Sequence, residues 1–232
     1  YVKGHFMNSA ILYFWLYAFL ILLLILFLLP KIGILARIRL FRQNRKREDL
    51  EDTLKFFFHQ QQSGRSTSIE ALEGKLKISS KKTIELIKLM ESQGLIQHNQ
   101  EFLELTVDGE RMALQIVRAH RLWERYLADE ARIPLEQVHS IAHQREHGMS
   151  IDEVNELDAS LGHPLSDPHG DPIPDSEGRF RPFEQGNPLT AWESEQLAKI
   201  VHLEDEPPLA YAQIIAEGLN LGMKVRVLSK TN

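Results

Sequence analysis

Apolar and polar positions recur with different periods along the chain, and each period predicts a different kind of element. Residues 10–29 are all apolar or aromatic, without charge, glycine or proline. About twenty such residues in a helix match the hydrocarbon core of a bilayer. A signal peptide usually has a shorter apolar run preceded by basic residues, and a core helix would carry polar residues on part of its circumference. The pattern therefore predicts a transmembrane segment within residues 1–30.

The next segment, residues 31–47, is strongly basic, and we expect it to be a juxtamembrane linker. Beside a membrane span, basic residues more often meet anionic lipid headgroups than DNA, which is the alternative partner. The positive-inside rule then places the later residues in the cytoplasm and the chain in the cell (inner or cytoplasmic) membrane. The basic residues are Lys31, Arg37, Arg39, Arg42, Arg45, Lys46 and Arg47.

Helical periodicity and a hairpin pattern follow in the order of a winged helix-turn-helix, which we expect over residues 48–110. Such a unit places its second helix in the major groove of double-stranded DNA, where N-terminal side chains reach phosphates and base edges. A solvated charged face is the alternative. The predicted helices cover residues 47–62, 68–76 and 79–93, and the strands 95–98 and 103–106 flank a turn at Asn99 and Gln100. The candidate DNA-binding residues are Ser79, Ser80, Lys81, Lys82, Thr83 and Lys88.

Beyond the hairpin the pattern predicts more helices and then a small β module, so the expected fold class is mainly α (α+β). We expect a metal-binding and dimerisation domain over residues 111–174. The stretch from His163 to Pro188 is rich in Pro, Gly and Asp and predicts a linker, with residues 175–188 joining the domains. Residues 189–232 are interpreted as a partial SH3-like (FeoA-like) module. The predicted helices cover residues 106–129, 135–147, 151–161 and 212–218, and the last strands cover 198–203 and 223–228.

Four side chains on one predicted helix carry the candidate chemistry. His139, His143 and His147 follow one another at i,i+4, and Glu146 lies three residues after His143, so all four share a face. Burying them without a partner would be costly, which favours a metal ion as that partner. Two further pairs have helical spacing, His120 with Glu124 and Asp49 with Asp52. Acidic residues at a solvated helix start are the alternative for the second pair.

Composition limits the kind of metal site. The chain has no cysteine, so nitrogen and oxygen atoms must supply the ligands. Mixed imidazole and carboxylate ligands suit Mn²⁺ or Fe²⁺, although Zn²⁺, Co²⁺ and Ni²⁺ would also bind. The formal net charge of -5 combines a basic segment with an acidic remainder and describes neither part.

A rival interpretation is a zinc protease. His143-Gln144-Arg145-Glu146-His147 fits the H-x-x-E-H motif, with Glu146 as general base. That chemistry needs another carboxylate ligand, and it leaves the helix-turn-helix pattern, His120 and Glu124 unexplained. The pattern therefore favours a regulator over an enzyme.

Several motifs, in order, resemble the diphtheria toxin repressor/manganese transport regulator family of metal-dependent regulators. The similarity covers roughly residues 48–174 and is weaker beyond. The motifs are Leu105-Thr106-Val107-Asp108-Gly109, Arg118-Ala119-His120-Arg121-Leu122-Trp123-Glu124, Val138-His139, Glu146-His147-Gly148-Met149-Ser150 and Gly170-Asp171-Pro172-Ile173-Pro174. The resemblance implies a homodimeric regulator of metal uptake that binds double-stranded DNA when loaded with Mn²⁺ or Fe²⁺.

The resemblance also implies ligand sets. A primary site would use Asp49, Asp52, His143, Glu146 and His147. An ancillary site, as in iron-type members, would use His120, Glu124 and His139, although His120 belongs to the main cluster in manganese-type members. The two acidic residues of the first helix look like the manganese type, whereas Glu124 and His139 look like the iron type. His143 stands where family members have Cys or Glu. His202 and Asp205 are looser candidates from the SH3-like side.

The apolar segment departs from the soluble members of that family. Residues 29–37 followed by Arg47-Glu48-Asp49 resemble the junction of a fusion between a metal ABC-transporter permease and a repressor domain. In that case residues 10–29 would be the last permease helix, Tyr1 would mark a cut in a longer chain, and transporter subunits would be partners. A metal-sensing tail that regulates a permease without touching DNA is the alternative function.

Overall fold

The structure, a computed structural model, describes residues 3–29, 33–99, 102–205 and 207–230, with side chains from Ile11 onward. The chain divides into an N-terminal unit, residues 1–49, and a C-terminal unit, residues 50–232. The predicted mainly helical fold with small sheets is confirmed.

The N-terminal unit contains α1 (Lys3–Leu28) and the first part of α2 (Ile34–Gln62). Within α1, Ile11–Leu28 is long and apolar enough to cross a membrane, and none of it is buried in the protein. The basic segment, predicted to be a juxtamembrane linker, is helical from Ile34. Residues 34–47 include no glycine or proline, and Leu, Ala, Arg and Lys all favour a helix. Residues 30–32 lie outside the described part of the chain.

The C-terminal unit begins with the winged helix-turn-helix predicted from the sequence. Its elements are the later part of α2, α3 (Ile69–Leu76), α4 (Ser80–Ser92), β1 (Ile96–Asn99) and β2 (Phe102–Leu105). Leu54 and Phe57 of α2 are fully buried in its core. The two strands are antiparallel, with Ile96 opposite Leu105 and Asn99 opposite Phe102. Asn99 thus belongs to β1 and not to the turn, and Gln100 lies outside the described residues.

Three helices follow the wing. They are α5 (Val107–Asp129), α6 (Leu135–Glu146) and α7 (Ile151–Ser160). The Thr106 hydroxyl begins α5 by accepting a hydrogen bond from the backbone N–H of Gly109, 3.1 Å away. Gly109 is required there, because a Cβ would lie 1.9 Å from the carbonyl oxygen of Leu95. This close approach packs the start of α5 against the wing.

The Pro-, Gly- and Asp-rich stretch after α7 is packed against the helices, so its interpretation as a linker is wrong. Ile173 is 1% exposed and packs with Leu122 and Val154. Phe180, within the expected 175–188 linker, stacks on Phe58 with ring centroids 6.5 Å apart. A composition typical of loops here forms turns that are anchored by single apolar side chains.

The last part of the chain forms a small α/β module. It contains a 3-10 turn (Leu189–Ala191), β3 (Leu197–Lys199), α8 (Pro208–Ala216) and β4 (Lys224–Arg226). β3 and β4 pair in antiparallel fashion, with Ala198 opposite Val225. The strands are shorter than predicted and the helix begins earlier, but the order strand, helix, strand is the predicted one.

Candidate metal centres

Two neighbouring clusters of nitrogen and oxygen ligands lie around α5 and α6. The α2–α6 cluster consists of Asp52, His143, Glu146 and His147, and the atoms they offer all lie within 4.8 Å of one another. The Glu124 cluster joins two overlapping groups that share Glu124, one with His120 and His139 and one with His169 and Asp205.

The α2–α6 cluster brings a carboxylate of α2 to the C-terminal end of α6. Nε2 of His147 lies 3.4 Å from Oδ1 of Asp52 and 3.5 Å from Oε1 of Glu146. Nδ1 of His143 lies 3.0 Å from the same Glu146 oxygen and 3.8 Å from Asp52 Oδ1. The i,i+3 and i,i+4 spacing therefore places the α6 residues on one face, as predicted.

Glu146 is held as an anion although its side chain is 0% exposed. Burial by itself would raise its pKa, but hydrogen bonds with His120 and His143 and the charge of Lys55 lower the pKa below its usual range. Burial raises the pKa of Asp52, and the charges of His143 and His147 partly oppose that rise. The cluster thus contains one buried carboxylate that carries its negative charge.

Two residues that sequence reasoning missed complete this cluster. The Glu51 carboxylate, 3% exposed, lies 2.8 Å from Nδ1 of His147, which leaves Nε2 facing Asp52 and Glu146. A carboxylate on the far nitrogen is the arrangement that orients histidine ligands in metal sites. Lys55 donates to both oxygens of Glu146, at 2.8 and 3.0 Å.

The Glu124 cluster surrounds a carboxylate that is 1% exposed. Oε1 of Glu124 lies 3.0 Å from His120 Nε2 and 3.0 Å from His139 Nδ1. Burial would raise the pKa of Glu124, but the charge and hydrogen bond of His120, followed by the hydrogen bond of His139, lower it. Asp205, from the C-terminal module, lies 2.8 Å from His139 Nδ1.

His169 is the member of this cluster that sequence reasoning did not find. It is 1% exposed, and its Nε2 lies 4.0 Å from Glu124 Oε1 and 3.9 Å from Asp205 Oδ2. Within the described residues, neither of its ring nitrogens has a hydrogen-bond partner. Because buried polar atoms are nearly always satisfied, this orphaned imidazole beside two carboxylates fits a divalent-metal ligand.

His169 is positioned by a tight turn. Oδ1 of Asp167 accepts hydrogen bonds from the backbone N–H groups of His169, at 2.8 Å, and Asp171, at 2.9 Å. Gly170 has φ +97°, and a Cβ there would lie 2.3 Å from the carbonyl oxygen of Val201. Only glycine therefore allows this turn to approach the C-terminal module closely enough to place His169 beside Asp205.

His120 connects the two clusters. Its Nδ1 lies 2.5 Å from Glu146 Oε2, and its Nε2 faces Glu124. Asp49 lies in the N-terminal unit, one turn before Asp52 on α2, and its role as a ligand stays a prediction. His202 lies 3.5 Å from Asp171 Oδ2 and belongs to neither cluster.

The candidate DNA-binding residues lie at the start of α4, apart from Lys88, which lies two turns later. All but one of them are exposed, namely Ser79, Ser80, Lys81, Lys82 and Lys88. Thr83 is the exception and its prediction is wrong. Its side chain is 0% exposed, and its hydroxyl donates to the carbonyl oxygen of Ser79 at 3.3 Å. Helical geometry turns this position toward the core, so it cannot reach a phosphate.

Metal binding should release protons. Burial would lower the pKa of His139, but hydrogen bonds with Asp205 and Glu124 raise it to about 10. Burial would likewise lower the pKa of His147, and the hydrogen bond with Glu51 raises it. The His139 imidazole therefore carries a proton at pH 7, and a histidine must be neutral to bind a metal ion, so loading should release at least about one proton per chain. The raised pKa of His147 acts in the same direction. Calorimetry in buffers of different ionisation enthalpy measures the number of protons released.

The raised pKa of His139 also sets how the stability of the metal-free protein depends on pH. The pKa of His139 is about 10 in the folded protein and ordinarily 6.5, so the protonated imidazole contributes its full stabilisation below about pH 6.5. This contribution is lost as the pH rises toward 10, while metal affinity should rise over the same range. A heat of binding independent of the buffer would contradict this account. Substituting the exposed wing residue His98 by Gln is the matched control.

Comparison with known proteins relates the chain to metal-dependent repressors. The profile of the iron-dependent repressor metal-binding and dimerisation domain matches residues 106–175. An iron-dependent repressor of Mycobacterium leprae is 34% identical over 131 residues, which are 54% of this chain and 57% of the relative. The chain thus spans little more than half the length of that curated relative.

Two further similarities extend the comparison. A solved manganese-dependent transcriptional repressor in complex with manganese superposes with a TM-score of 0.71 at 32% identity, covering 78% of this chain and 84% of that one. A Chlamydia pneumoniae protein named "probable metal transport system membrane protein" is 32% identical over 39% of this chain but 20% of its own length. The named repressors are regulators rather than enzymes, in agreement with the expectation drawn against the protease motif. The chain belongs to the diphtheria toxin repressor/manganese transport regulator family of metal-dependent repressors.

Proposed function

We propose that this protein is a membrane-tethered, metal-dependent DNA-binding regulator of metal uptake. The observation that carries the proposal is that α2 belongs both to the winged helix-turn-helix and to a metal-binding cluster. Leu54 and Phe57 of this helix form the core of the winged helix-turn-helix, while Asp52 of the same helix joins His143, Glu146 and His147 of the α6 region. Metal binding and the DNA-binding fold therefore depend on one helix.

The donor set favours Mn²⁺ or Fe²⁺ as the effector. Both clusters combine imidazole and carboxylate groups, which suit these ions, although Zn²⁺, Co²⁺ and Ni²⁺ would bind as well. The relatives named as iron- and manganese-dependent repressors support the same choice. Asp52 of α2 and Glu124 of α5 would each hold an ion together with histidines of the α6 region, in separate clusters. Each ion would supply positive charge between these carboxylates and imidazoles.

The chain's own residues explain how loading could favour DNA. Asp52 must stay beside His147 for the α2–α6 cluster to close, and α2 carries the helix pair α3 and α4 with it through its buried core. In a homodimer, which the dimerisation profile supports, fixing these helices fixes the spacing of two α4 helices. Binding to operator DNA requires that spacing to match successive major grooves.

Removing the charge at the start of α4 should separate DNA binding from metal binding. We expect K81A/K82A to weaken binding to a promoter duplex by about 10- to 100-fold and to reduce its salt dependence by about two counterions per chain, or about four per homodimer. Mn²⁺ binding should not change, because neither lysine is near a cluster. Fluorescence anisotropy of a duplex from the promoter next to its own gene measures the DNA affinity and its salt dependence. The whole chain is used in nanodiscs, with Mn²⁺ or with chelator.

The control for this variant is K224A/K230A, which removes two exposed lysines from the C-terminal module. It should bind DNA as the wild type does. If K81A/K82A also binds DNA as the wild type does, α4 is not the recognition helix and the DNA-binding proposal fails.

A second candidate function is a cytoplasmic metal-sensing tail of a metal permease. Two observations favour it, the apolar Ile11–Leu28 segment and the similarity to a Chlamydia pneumoniae membrane protein of metal transport. In this alternative, transporter subunits would be the partners. Wild-type chain that binds Mn²⁺ stoichiometrically but no promoter duplex in any metal would support the tail and exclude the regulator.

A further inference from the structure

Lys55 places a fixed positive charge against the ligands of the α2–α6 cluster. Its ammonium group donates to both oxygens of Glu146, at 2.8 and 3.0 Å, and lies 3.4 Å from Nδ1 of His120. The Lys55 side chain is 14% exposed and that of Glu146 is 0% exposed. The pair is therefore largely removed from water. In such surroundings its electrostatic attraction is strong, and breaking the pair is costly.

The oxygen that Lys55 contacts most closely is also the oxygen that faces the cluster. Oε1 of Glu146 lies 3.0 Å from His143 Nδ1 and 3.5 Å from His147 Nε2. Any ion that this oxygen binds must share it with an ammonium group 2.8 Å away. The second oxygen is engaged too, by Lys55 and by His120. Glu146 thus has no oxygen that is free of Lys55.

Lys55 reaches this position because of its place on α2. It follows Asp52 by three residues, so the two side chains project from the same face toward α6. One of them brings a ligand to the cluster, while the other brings a cation. These two contributions from one helix oppose each other when a divalent ion binds.

We infer that Lys55 is a built-in competitor of the metal ion, which raises the metal concentration at which the α2–α6 cluster is loaded. The inference rests on the proposed metal-binding function and concerns its threshold. Lys55 also links α2 to α5 and α6 without metal, through His120 and Glu146. A divalent ion must therefore displace or share an existing ionic link rather than create the first one.

The test compares Lys55→Met with Lys55→Arg in the full chain in nanodiscs, titrated with Mn²⁺. Met keeps the apolar stem and removes the charge, so Mn²⁺ should bind at least about tenfold more tightly. Arg keeps the charge and should bind within about threefold of the wild type. Lys224→Met, which removes an exposed charge from β4 of the C-terminal module, should leave the affinity unchanged. The free Mn²⁺ signal in electron paramagnetic resonance gives the dissociation constants.

Thermal unfolding gives a second readout that does not require metal. Without Mn²⁺, K55M should unfold at a lower temperature than the wild type, because Glu146 loses its ammonium partner. Added Mn²⁺ should then raise the unfolding temperature of K55M by more than that of the wild type. Equal or weaker Mn²⁺ affinity in K55M overturns the competitor role, whereas a wild type that binds no Mn²⁺ at all overturns the proposed function instead.

Discussion

Replacing Glu146 by Gln should remove Mn²⁺ binding at the α2–α6 cluster and, with it, metal-dependent DNA binding. Loss of a group that only orients a metal ligand typically costs about 10- to 100-fold in affinity, so loss of the buried anionic ligand should cost more than about 100-fold. Glu146 is the member of the cluster that contacts the most partners, namely Lys55, His120, His143 and His147. Mn²⁺ titration and DNA anisotropy on the same preparation measure both losses.

The control for this variant is Glu136→Gln, which neutralises an exposed carboxylate in the first turn of the same helix. It should behave as the wild type in both assays. Circular dichroism must show that E146Q remains folded, since Lys55 and His120 lose a charged partner in it. Metal-dependent DNA binding that survives in folded E146Q would exclude the α2–α6 cluster as the sensor.

The helical ligands could be predicted from the sequence because helical spacing alone places them on one face. His143, Glu146 and His147 meet through the i,i+3 and i,i+4 positions of α6, and His120 and Glu124 meet through those of α5. His169 and Asp205 follow no such period. They come from irregular segments, and their approach to Glu124 depends on how the turn at Gly170 packs against the C-terminal module. Local patterns carry no information about such a contact.

Lys55 and Glu51 present a different case, since the signal was in the sequence. Both lie on α2 within one turn of Asp52, at positions that face α6. Charged residues of opposite sign along a helix are usually solvated ion pairs, so the sequence alone favours a surface role for Glu51 and Lys55. Only their contacts with His147 and Glu146 show that they belong to a buried site.

The helix at residues 34–47 and the burial of Thr83 have simple physical reasons. The basic charge of residues 34–47 does not prevent a helix, because helix propensity depends on side-chain entropy and backbone fit rather than on polarity. The hydroxyl of Thr83, near the N-terminal end of α4, predicts a contact with DNA, but the structure buries it. On a helix, residues one or two positions apart point in different directions, and the hydroxyl of Thr83 bonds to the carbonyl oxygen of Ser79 instead.

Substitution of Glu124 by Gln should reduce the number of tightly bound Mn²⁺ ions by one per chain and leave the α2–α6 cluster loaded. Glu124 is shared by both groups of its cluster, so no other residue can replace its charge for His120, His139 and His169 together. The remaining carboxylate, Asp205, contacts His139 at 2.8 Å but lies 3.9 Å from His169. We therefore expect a loss of more than about 100-fold in affinity at this centre.

The proton count distinguishes this loss from general damage. His139 has a pKa of about 10 and belongs to the Glu124 cluster. When that cluster stays empty in E124Q, His139 keeps its proton, so E124Q should release fewer protons on loading than the wild type. Glu110→Gln, an exposed change in the first turn of the same helix, should alter neither stoichiometry nor proton release. If E124Q still binds the wild-type number of ions at wild-type affinity, Glu124 does not ligate metal. The orphaned nitrogens of His169 would then need another partner, because buried polar atoms are nearly always hydrogen-bonded.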